Sequence, residues 1–370
     1  MAGWSSPAPD MIEAQLVLYW GASEYIASGE RFTQLQEMFP GAAIVGCSTG
    51  GQILAGDVCD ERVAAMAFRF EKTKIAVVEK DVDNDQCSFS AGAAAAGQLM
   101  RPDLKFIFVL SDGIHINGSD LVAGISSSIG PNVIVTGGLA GDGTRFQETL
   151  VGACRAPRPR QIAAIGFYGH ALSIGHGSAG GWDEFGPKRT VSKSERNVLF
   201  TLNEEPVLDL YERYLGEEAE GLPGTALLYP LLIADPRDPR HAVVRTVLGV
   251  NRDQRSMTFA GNIPEGWSAQ LMRGHFDNLA EGAALAARQA ATLRRGPGSD
   301  AVAIMVSCIG RRILMGQSIA DEITEVEANI GSNVRTIGFY SYGEISPHSL
   351  SGTCELHNQT MTVTTIAEAV

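Results

Sequence analysis

A glycine-rich stretch, VGCSTGGQI at residues 45–53, decides the fold of this chain. It follows the apolar run 42–45, which predicts the end of a buried strand. A cluster of glycine, serine and threonine directly after a strand predicts a sharp turn, which a ligand or another backbone segment can approach closely. Two further stretches resemble it, NVIVTGGLAGDG at 132–143 and, more loosely, VRTIGFYSYGEI at 334–345. The chain therefore repeats one turn design three times.

Each of the three turns lies in a similar frame, in which an apolar run and a helix-like stretch come first. The apolar runs are 16–20, 106–110 and 301–306, and the helix-like stretches are 23–38, 118–129 and 321–330. After the first two turns, paired runs predict hairpins, 63–70 with 74–78 and 162–167 with 171–174. The pattern predicts an α+β fold with mixed β-sheets and helices on the outer faces, built from duplicated strand-helix-strand-hairpin units.

Composition limits the classes of function. The chain has 370 residues, 45% of them hydrophobic, which is enough for one large domain or two ordinary ones. Its net charge is −13 and it has no basic cluster, which argues against a nucleic-acid or anionic-membrane surface. The six cysteines show no metal-binding spacing and predict reduced thiols. Without a signal-peptide or membrane-span pattern, the sequence predicts a cytoplasmic protein.

The sequence GLPG at 221–224 predicts a boundary between two domains, 14–220 and 224–366. The longest helical pattern, at 266–294, lies in the second of them.

The first turn contains a G-x-S-x-G pattern at 46–50, in which Ser48 or the neighbouring Cys47 could act as a nucleophile. That motif needs a helix directly after the serine, whereas Gly50 and Gly51 follow here. No partner histidine and aspartate stand out. A hydrolase is therefore disfavoured, and we expect that the chain is not an enzyme.

The second turn, GGLAGDG at 137–143, resembles a phosphate-binding loop but is neither G-x-G-x-x-G nor a Walker A motif. Asp142 would repel phosphate, so we expect its carboxylate to cap nearby amides or to hold a cationic ligand group. In the third turn, Tyr340, Tyr342 and Glu344 alternate along a strand. They could line a ligand pocket or form an internal hydrogen-bond network. Arg311 follows a buried strand and could meet Glu344 or a ligand carboxylate.

None of the seven histidines is spaced as a metal motif, but a non-covalent haem needs only one axial histidine and an apolar cleft. His176 lies in IGHGSAGGW at 174–182, where flanking glycines predict open space beside the ring. His348 follows a proline in a loop, and His115 lies in SDGIH at 111–115. For each histidine taken alone, a structural or surface role is favoured.

Eight motifs in order resemble the FIST family. They are GCST at 46–49, GGLAGD at 137–142, HG at 176–177, LY followed by YLG at 210–216, YP at 229–230, CIGR at 308–311, GFYSYGE at 338–344 and HNQT at 357–360. FIST N and FIST C segments in tandem would cover nearly the whole chain. The resemblance implies a bacterial, intracellular sensor of a small ligand in signal transduction, for which amino-acid-like ligands have been proposed. With no output domain in the sequence, such a sensor would act in trans.

The stretch around His176 looks like that of stand-alone members of the NosP type, which bind haem, sense nitric oxide and modulate a histidine kinase. The first hypothesis is therefore a haem sensor with His176 as the iron ligand, and His348 and His115 as further candidates. The second is a sensor of an amino-acid-like ligand, in which Arg311 holds the carboxylate, and Asp142 or Glu344 the amine. The predicted ligand-binding residues are Cys47, Ser48, Thr49, Gly138, Asp142, Arg311, Tyr340, Tyr342 and Glu344. The number of subunits stays open, a homo-oligomer included.

Overall fold

Three pairs of parallel strands, each joined by helices, form the frame of the protein. Its computed structural model describes residues 13–83, 87–293, 300–348 and 352–369. The strands of these residues are β1 (Leu16–Gly21), β2 (Ala43–Ser48), β3 (Gln52–Leu54), β4 (Asp57–Cys59), β5 (Val63–Phe68), β6 (Lys74–Asp81), β7 (Leu104–Ser111), β8 (Ile134–Leu139), β9 (Val151–Ala153), β10 (Gln161–Tyr168), β11 (Leu172–Ala179), β12 (Trp182–Glu195), β13 (Val198–Leu202), β14 (Glu205–Pro206), β15 (Leu231–Asp235), β16 (Asp238–Arg245), β17 (Val247–Asn251), β18 (Ser256–Phe259), β19 (Ser268–Gly274), β20 (Ala301–Cys308), β21 (Val334–Ser341), β22 (Gly343–Pro347), β23 (Cys354–His357) and β24 (Met361–Glu368). The helices are α1 (Ser23–Ile26), α2 (Glu30–Met38), α3 (Ser88–Leu99), α4 (Gly118–Ser127), α5 (Val207–Leu215), α6 (Phe276–Leu293), α7 (Ile309–Met315) and α8 (Ile319–Ile330).

Each parallel pair also has an antiparallel neighbour, and the three strands together are called a unit. The first unit holds β1, β2 and β5, the second β7, β8 and β10, and the third β20, β21 and β24. The apolar runs that begin the units are buried on both faces, as continuous apolar strands of parallel pairs usually are. The predicted α+β class with mixed sheets is confirmed.

The strand that follows each glycine turn leaves its own unit. After the first turn, β3 pairs with β21 of the third unit. After the second turn, β9 pairs with β2 of the first unit. After the third turn, β22 pairs with β8 of the second unit. The three units therefore exchange strands in a closed cycle, and this exchange brings the turns together.

The two hairpins predicted after the first and second turns are wrong. β5 pairs with β1, whereas β6 pairs with β10 in another sheet. Likewise, β11 pairs with β24 and not with β10. The physical reason is that β6 and β11 each pair with a strand of the next unit. β6 covers the outer edge of β10 in the second unit, and β11 covers the outer edge of β24 in the third. Two hairpins that do form, β3 with β4 and β22 with β23, come directly after glycine turns.

The three sheets of the units face one another around an aromatic core. Trp20 of the first unit contacts Phe339 of the third, with ring centroids 4.9 Å apart, and Phe106 contacts Phe167 at 5.1 Å within the second unit. Helices cover the outer faces, where α3 packs on α4 and α6 on α8. Among the described residues, no helix combines the length and the apolar character needed to cross a bilayer.

Residues 182–274, between β11 and α6, form a separate sheet with its own core, called the inserted sheet. Its last strand lies where the first third of the helix pattern at 266–294 was predicted, so that part of the prediction is wrong, and residue 294 lies outside the described residues. β19 occupies 268–274, and α6 starts only at Phe276. The predicted domains, 14–220 and 224–366, stay a prediction. Three of the four sheets contain strands from both of these ranges.

Candidate functional site

The three glycine turns meet at one end of the units. Each turn donates one backbone N–H to the carbonyl at a strand end of another unit. The three bonds are Gly50 N to Tyr340 O (2.8 Å), Gly141 N to Ser48 O (3.0 Å) and Tyr342 N to Leu139 O (3.1 Å). The cycle of strand exchange is therefore closed by a cycle of hydrogen bonds, which fixes the turns relative to one another.

A cavity of about 620 Å³, the turn groove, opens over the first and second turns. The turns contribute Thr49, Gly50 and the segment 142–145 to its lining, and α7 contributes Ile309 and Arg312. Its walls carry two cations and several carboxylates: Glu24, Asp60, Glu61, Asp142, Arg145 and Arg312. All three units therefore contribute to one polar groove.

Arg312 forms one wall of the turn groove. Its guanidinium donates to both carboxylate oxygens of Asp60, at 2.6 and 2.7 Å, and also to the carbonyl oxygen of Gly50. It lies over the ring of Tyr340, 5.3 Å from the centroid. The hydrogen bond from Arg312 lowers the pKa of Asp60, so this carboxylate stays ionised. The third unit thus presents a fixed cation, paired with a carboxylate of the first.

Asp142 organises the opposite wall. Its carboxylate accepts the backbone N–H groups of Phe146 (2.9 Å), Gln147 (2.9 Å) and Glu148 (3.0 Å), and the hydroxyl of Tyr342. The prediction that this carboxylate caps nearby amides is therefore confirmed. The loop that Asp142 caps, residues 143–148, is called the capped loop. It carries Arg145, which forms an ion pair with Glu24 at 3.1 Å.

Arg311 lies outside the groove, although it is the neighbour of Arg312. It is fully buried, and its Nε and Nη2 donate to Glu322 at 3.0 and 2.8 Å. It also donates to the carbonyl oxygens of Leu279 (2.8 Å) and Gly180. Successive helical residues point about 100° apart, so one arginine faces inward and the other faces the groove. The structure thus pairs Arg311 with Glu322, not with Glu344.

The remaining residues of the third turn belong to internal networks. The hydroxyl of Tyr340 donates to Glu322 at 2.9 Å. Glu344 is buried and accepts bonds from Ser341 Oγ (2.6 Å) and Thr360 Oγ1 (3.0 Å). Burial raises the pKa of Glu344 to about 8. Tyr342 stacks on Phe146 with ring centroids 4.6 Å apart, behind the capped loop.

The first turn does not form a nucleophile elbow. The Oγ of Ser48 accepts the N–H of Leu150 at 2.9 Å, and a strand, not a helix, follows it. Burial raises the pKa of Cys47, which disfavours the reactive thiolate. Gly138 allows close packing, because a Cβ there would lie 2.6 Å from a methyl group of Val306. Thr49 and Gly50 remain as the residues of this turn that face the groove.

The glycines that flank His176 do not leave the open space that the sequence predicted for them. A Cβ on Gly175 would lie 1.9 Å from the carbonyl oxygen of Ala290, and one on Gly177 would lie 2.1 Å from that of Ala286. These glycines therefore allow α6 to pack closely on β11. The His176 side chain, which points away from α6 by strand alternation, is mostly buried, and burial lowers its pKa.

The other two histidines also have protein partners. The Nδ1 of His115 lies 2.9 Å from the buried Asp112 carboxylate. The Nε2 of His348 lies 3.1 Å from the carbonyl oxygen of Ala242, and its ring stacks on His357. None of these three candidate haem ligands lines the turn groove.

Five charged groove residues were missed from the sequence: Glu61 and the four that form ion pairs, Glu24, Asp60, Arg145 and Arg312. Their ion pairs join residues that are more than 100 positions apart, so no local spacing predicts them. The one available signal was the Arg311-Arg312 dipeptide after a buried strand. Arg311 was predicted to bind the ligand, whereas Arg312 is the arginine that lines the groove.

Comparison with known proteins supplies further information. The FIST N domain model matches residues 15–205, and the FIST C domain model matches residues 208–347. Comparison with curated proteins gives no match. Among solved structures, the chain has some similarity to a cyanuic acid hydrolase from A. caulinodans, at 12% identity over 80% of this chain and 100% of that one, with a TM-score of 0.19. That score is too low to relate the two folds.

Proposed function

Because this chain belongs to the family with FIST N and FIST C domains, we propose that it is a sensor whose ligand binds in the turn groove. Domains of this family are signal-transduction sensor domains that bind small ligands, and they are sensory, not catalytic. The observation that supports this site is the groove itself. It is large enough for a small molecule, at about 620 Å³, and all three units line it.

The charges of the groove favour a zwitterionic, amino-acid-like ligand. A ligand carboxylate would bind the guanidinium of Arg312, and its ammonium group would bind Asp60 or Glu24. The existing pair of Arg312 with Asp60 can be exchanged at low cost, because the Asp60 side chain is 60% exposed and exposed ion pairs contribute about 0–1 kcal/mol. In this assignment, the ligand carboxylate binds Arg312 and not Arg311, the residue predicted from the sequence.

Helix α7 connects the groove with the rest of the chain. Arg312 faces the ligand, and Arg311, one residue earlier, holds the carbonyl oxygens of Gly180 and Leu279. These two carbonyls lie where the chain leaves for the inserted sheet and where it returns. A ligand that moves Arg312 would therefore also move the support of the inserted sheet. A histidine kinase or another output protein in trans would bind the two states with different affinity.

Calorimetry with the twenty common L-amino acids tests the proposal. We expect at least one to bind, and Arg312→Met to weaken that binding at least tenfold, since a charge-assisted pair contributes on the order of 1.5–3 kcal/mol. Arg252→Met is the matched control, because Arg252 is an exposed arginine paired with Glu212 at 3.3 Å, outside the groove. If no amino acid binds, or if Arg312→Met binds like the wild type, the assignment is wrong.

Haem-based sensing of nitric oxide, with His176 as the iron ligand, is the second candidate. The observation in its favour is that burial lowers the pKa of His176, which keeps the imidazole in the neutral form that binds iron. The surroundings of His176 do not fit a haem, because Thr364, which pairs with His176 and points to the same face of the sheet, bonds to Thr136 of the facing sheet. An absorption spectrum after haem addition decides: a stoichiometric band that is lost in His176→Ala would favour this candidate over the zwitterion.

A further inference from the structure

One sheet edge of the first unit differs from its counterparts. In the second unit, β6 covers the outer edge of β10, and in the third unit, β11 covers the outer edge of β24, in both cases antiparallel. The equivalent strand of the first unit is β5. Among the described residues, no strand pairs with its outer edge. A covering strand therefore occupies this position in the second and third units, whereas the position is open in the first unit.

The open edge has none of the features that normally prevent strands from pairing. β5 has the sequence VAAMAF, without charge or proline, and it pairs with β1 over six consecutive residues without a bulge. Four of its six residues are partly exposed. By contrast, β6, which ends the sheet of the second unit, carries Lys74, Glu79, Lys80 and Asp81. Natural edge strands are usually protected by such charges, by proline or by bulges.

We propose that β5 is a dimerisation strand, which pairs antiparallel with β5 of a second copy of this chain. A twofold axis makes two identical edge strands antiparallel, which is the direction of the strand that covers this edge in both other units. The flanking charges also fit a second copy. With Ala65 opposite Ala65, Glu61 of one copy lies opposite Arg69 of the other, twice. Both residues are exposed, and neither forms an ion pair with another described residue.

Sedimentation velocity of the full chain tests this interface. We expect a species of twice the 39.3 kDa chain mass at about 50 µM, since one strand pair gives moderate affinity. Ala65→Lys should give a monomer with unchanged circular dichroism, because a lysine there blocks the edge. Ala76→Lys is the matched control, as Ala76 is a partly exposed residue of the edge strand β6. It should remain dimeric.

If Ala65→Lys does not fold, a charge reversal provides the test. Arg69→Glu converts two opposite-charge contacts into two like-charge contacts, and we expect the dissociation constant to rise about tenfold. The double variant Glu61→Arg/Arg69→Glu should restore it. A wild-type protein that is monomeric at about 100 µM would overturn the proposal. A dimer whose affinity is unchanged by both Ala65→Lys and Arg69→Glu would also overturn it, because that dimer would use another surface.

Discussion

Replacing Arg311 by methionine tests whether this arginine stabilises the fold while the adjacent Arg312 serves the groove. Arg311 and Glu322 are both fully buried, with Nη2 2.8 Å from Oε2. The substitution keeps much of the side-chain volume but leaves the Glu322 carboxylate buried without a cation. Removing one partner of a buried ion pair typically costs about 3–5 kcal/mol. We therefore expect the free energy of unfolding to fall by about that amount.

Urea denaturation measures this loss. Trp20 is fully buried in the aromatic core, so tryptophan fluorescence reports unfolding of the units. With an m-value of about 3 kcal/mol per molar urea, the midpoint should fall by roughly 1–1.7 M. Arg312→Met is the control on the same helix. Its partner Asp60 is 60% exposed, so that variant should lose only about 1 kcal/mol.

A double variant separates the missing cation from the missing packing. In Arg311→Met/Glu322→Gln, the uncompensated charge is gone, while the amide keeps polar contacts with Ser307 and Tyr340. We expect at least about half of the lost stability to return. The reasoning is refuted if Arg311→Met is no less stable than Arg312→Met, or if the double variant is as unstable as Arg311→Met alone.

Three further predictions concern other parts of the fold. Burial raises the pKa of Glu344 from 4.5 to about 8, so the folded state binds its proton more tightly and the free energy of unfolding should fall as pH rises between these values. Glu344→Gln should remove this slope in urea titrations at pH 5 and pH 8. Asp142→Asn loses an acceptor for the capped loop, so calorimetry should show weaker binding of groove ligands, and unfolding should cost about 2 kcal/mol less; equal affinity would contradict the role of the cap. Gly175→Ala should destabilise by about 3 kcal/mol, because the new methyl group collides with α6, whereas Gly97→Ala in an open helix position should stabilise by about 0.5–1 kcal/mol; equal melting temperatures would refute the packing argument.

The frame of the fold could be predicted because it depends on local patterns. Apolar runs predicted β1, β7 and β20, and the glycine turns after β2 and β8 were placed correctly. The strand exchange could not be predicted, because a turn shows that the chain reverses but not which sheet the next strand joins. The wrong hairpins have this cause: two successive apolar runs were assumed to pair with each other.

The candidate site was only partly predictable for a similar reason. Thr49 and Asp142 were found because they belong to visible turn motifs. Arg145 and Arg312 were missed, since their roles depend on contacts between units. The glycines beside His176 show the opposite error, because a glycine that allows close packing and a glycine that leaves open space look the same in sequence.

The position of β24 in its sheet has a consequence for biosynthesis. This strand lies between β11 and β20, in the interior of the sheet of the third unit. A ribosome that has completed β11, which ends at Ala179, must add about 180 residues before β24 emerges, or about 10–40 s of synthesis. During that time β11 has no neighbour in its own sheet. We therefore expect the nascent chain to depend on chaperones over this interval, and ribosome-bound intermediates that stop before residue 361 to stay sensitive to protease throughout the third unit.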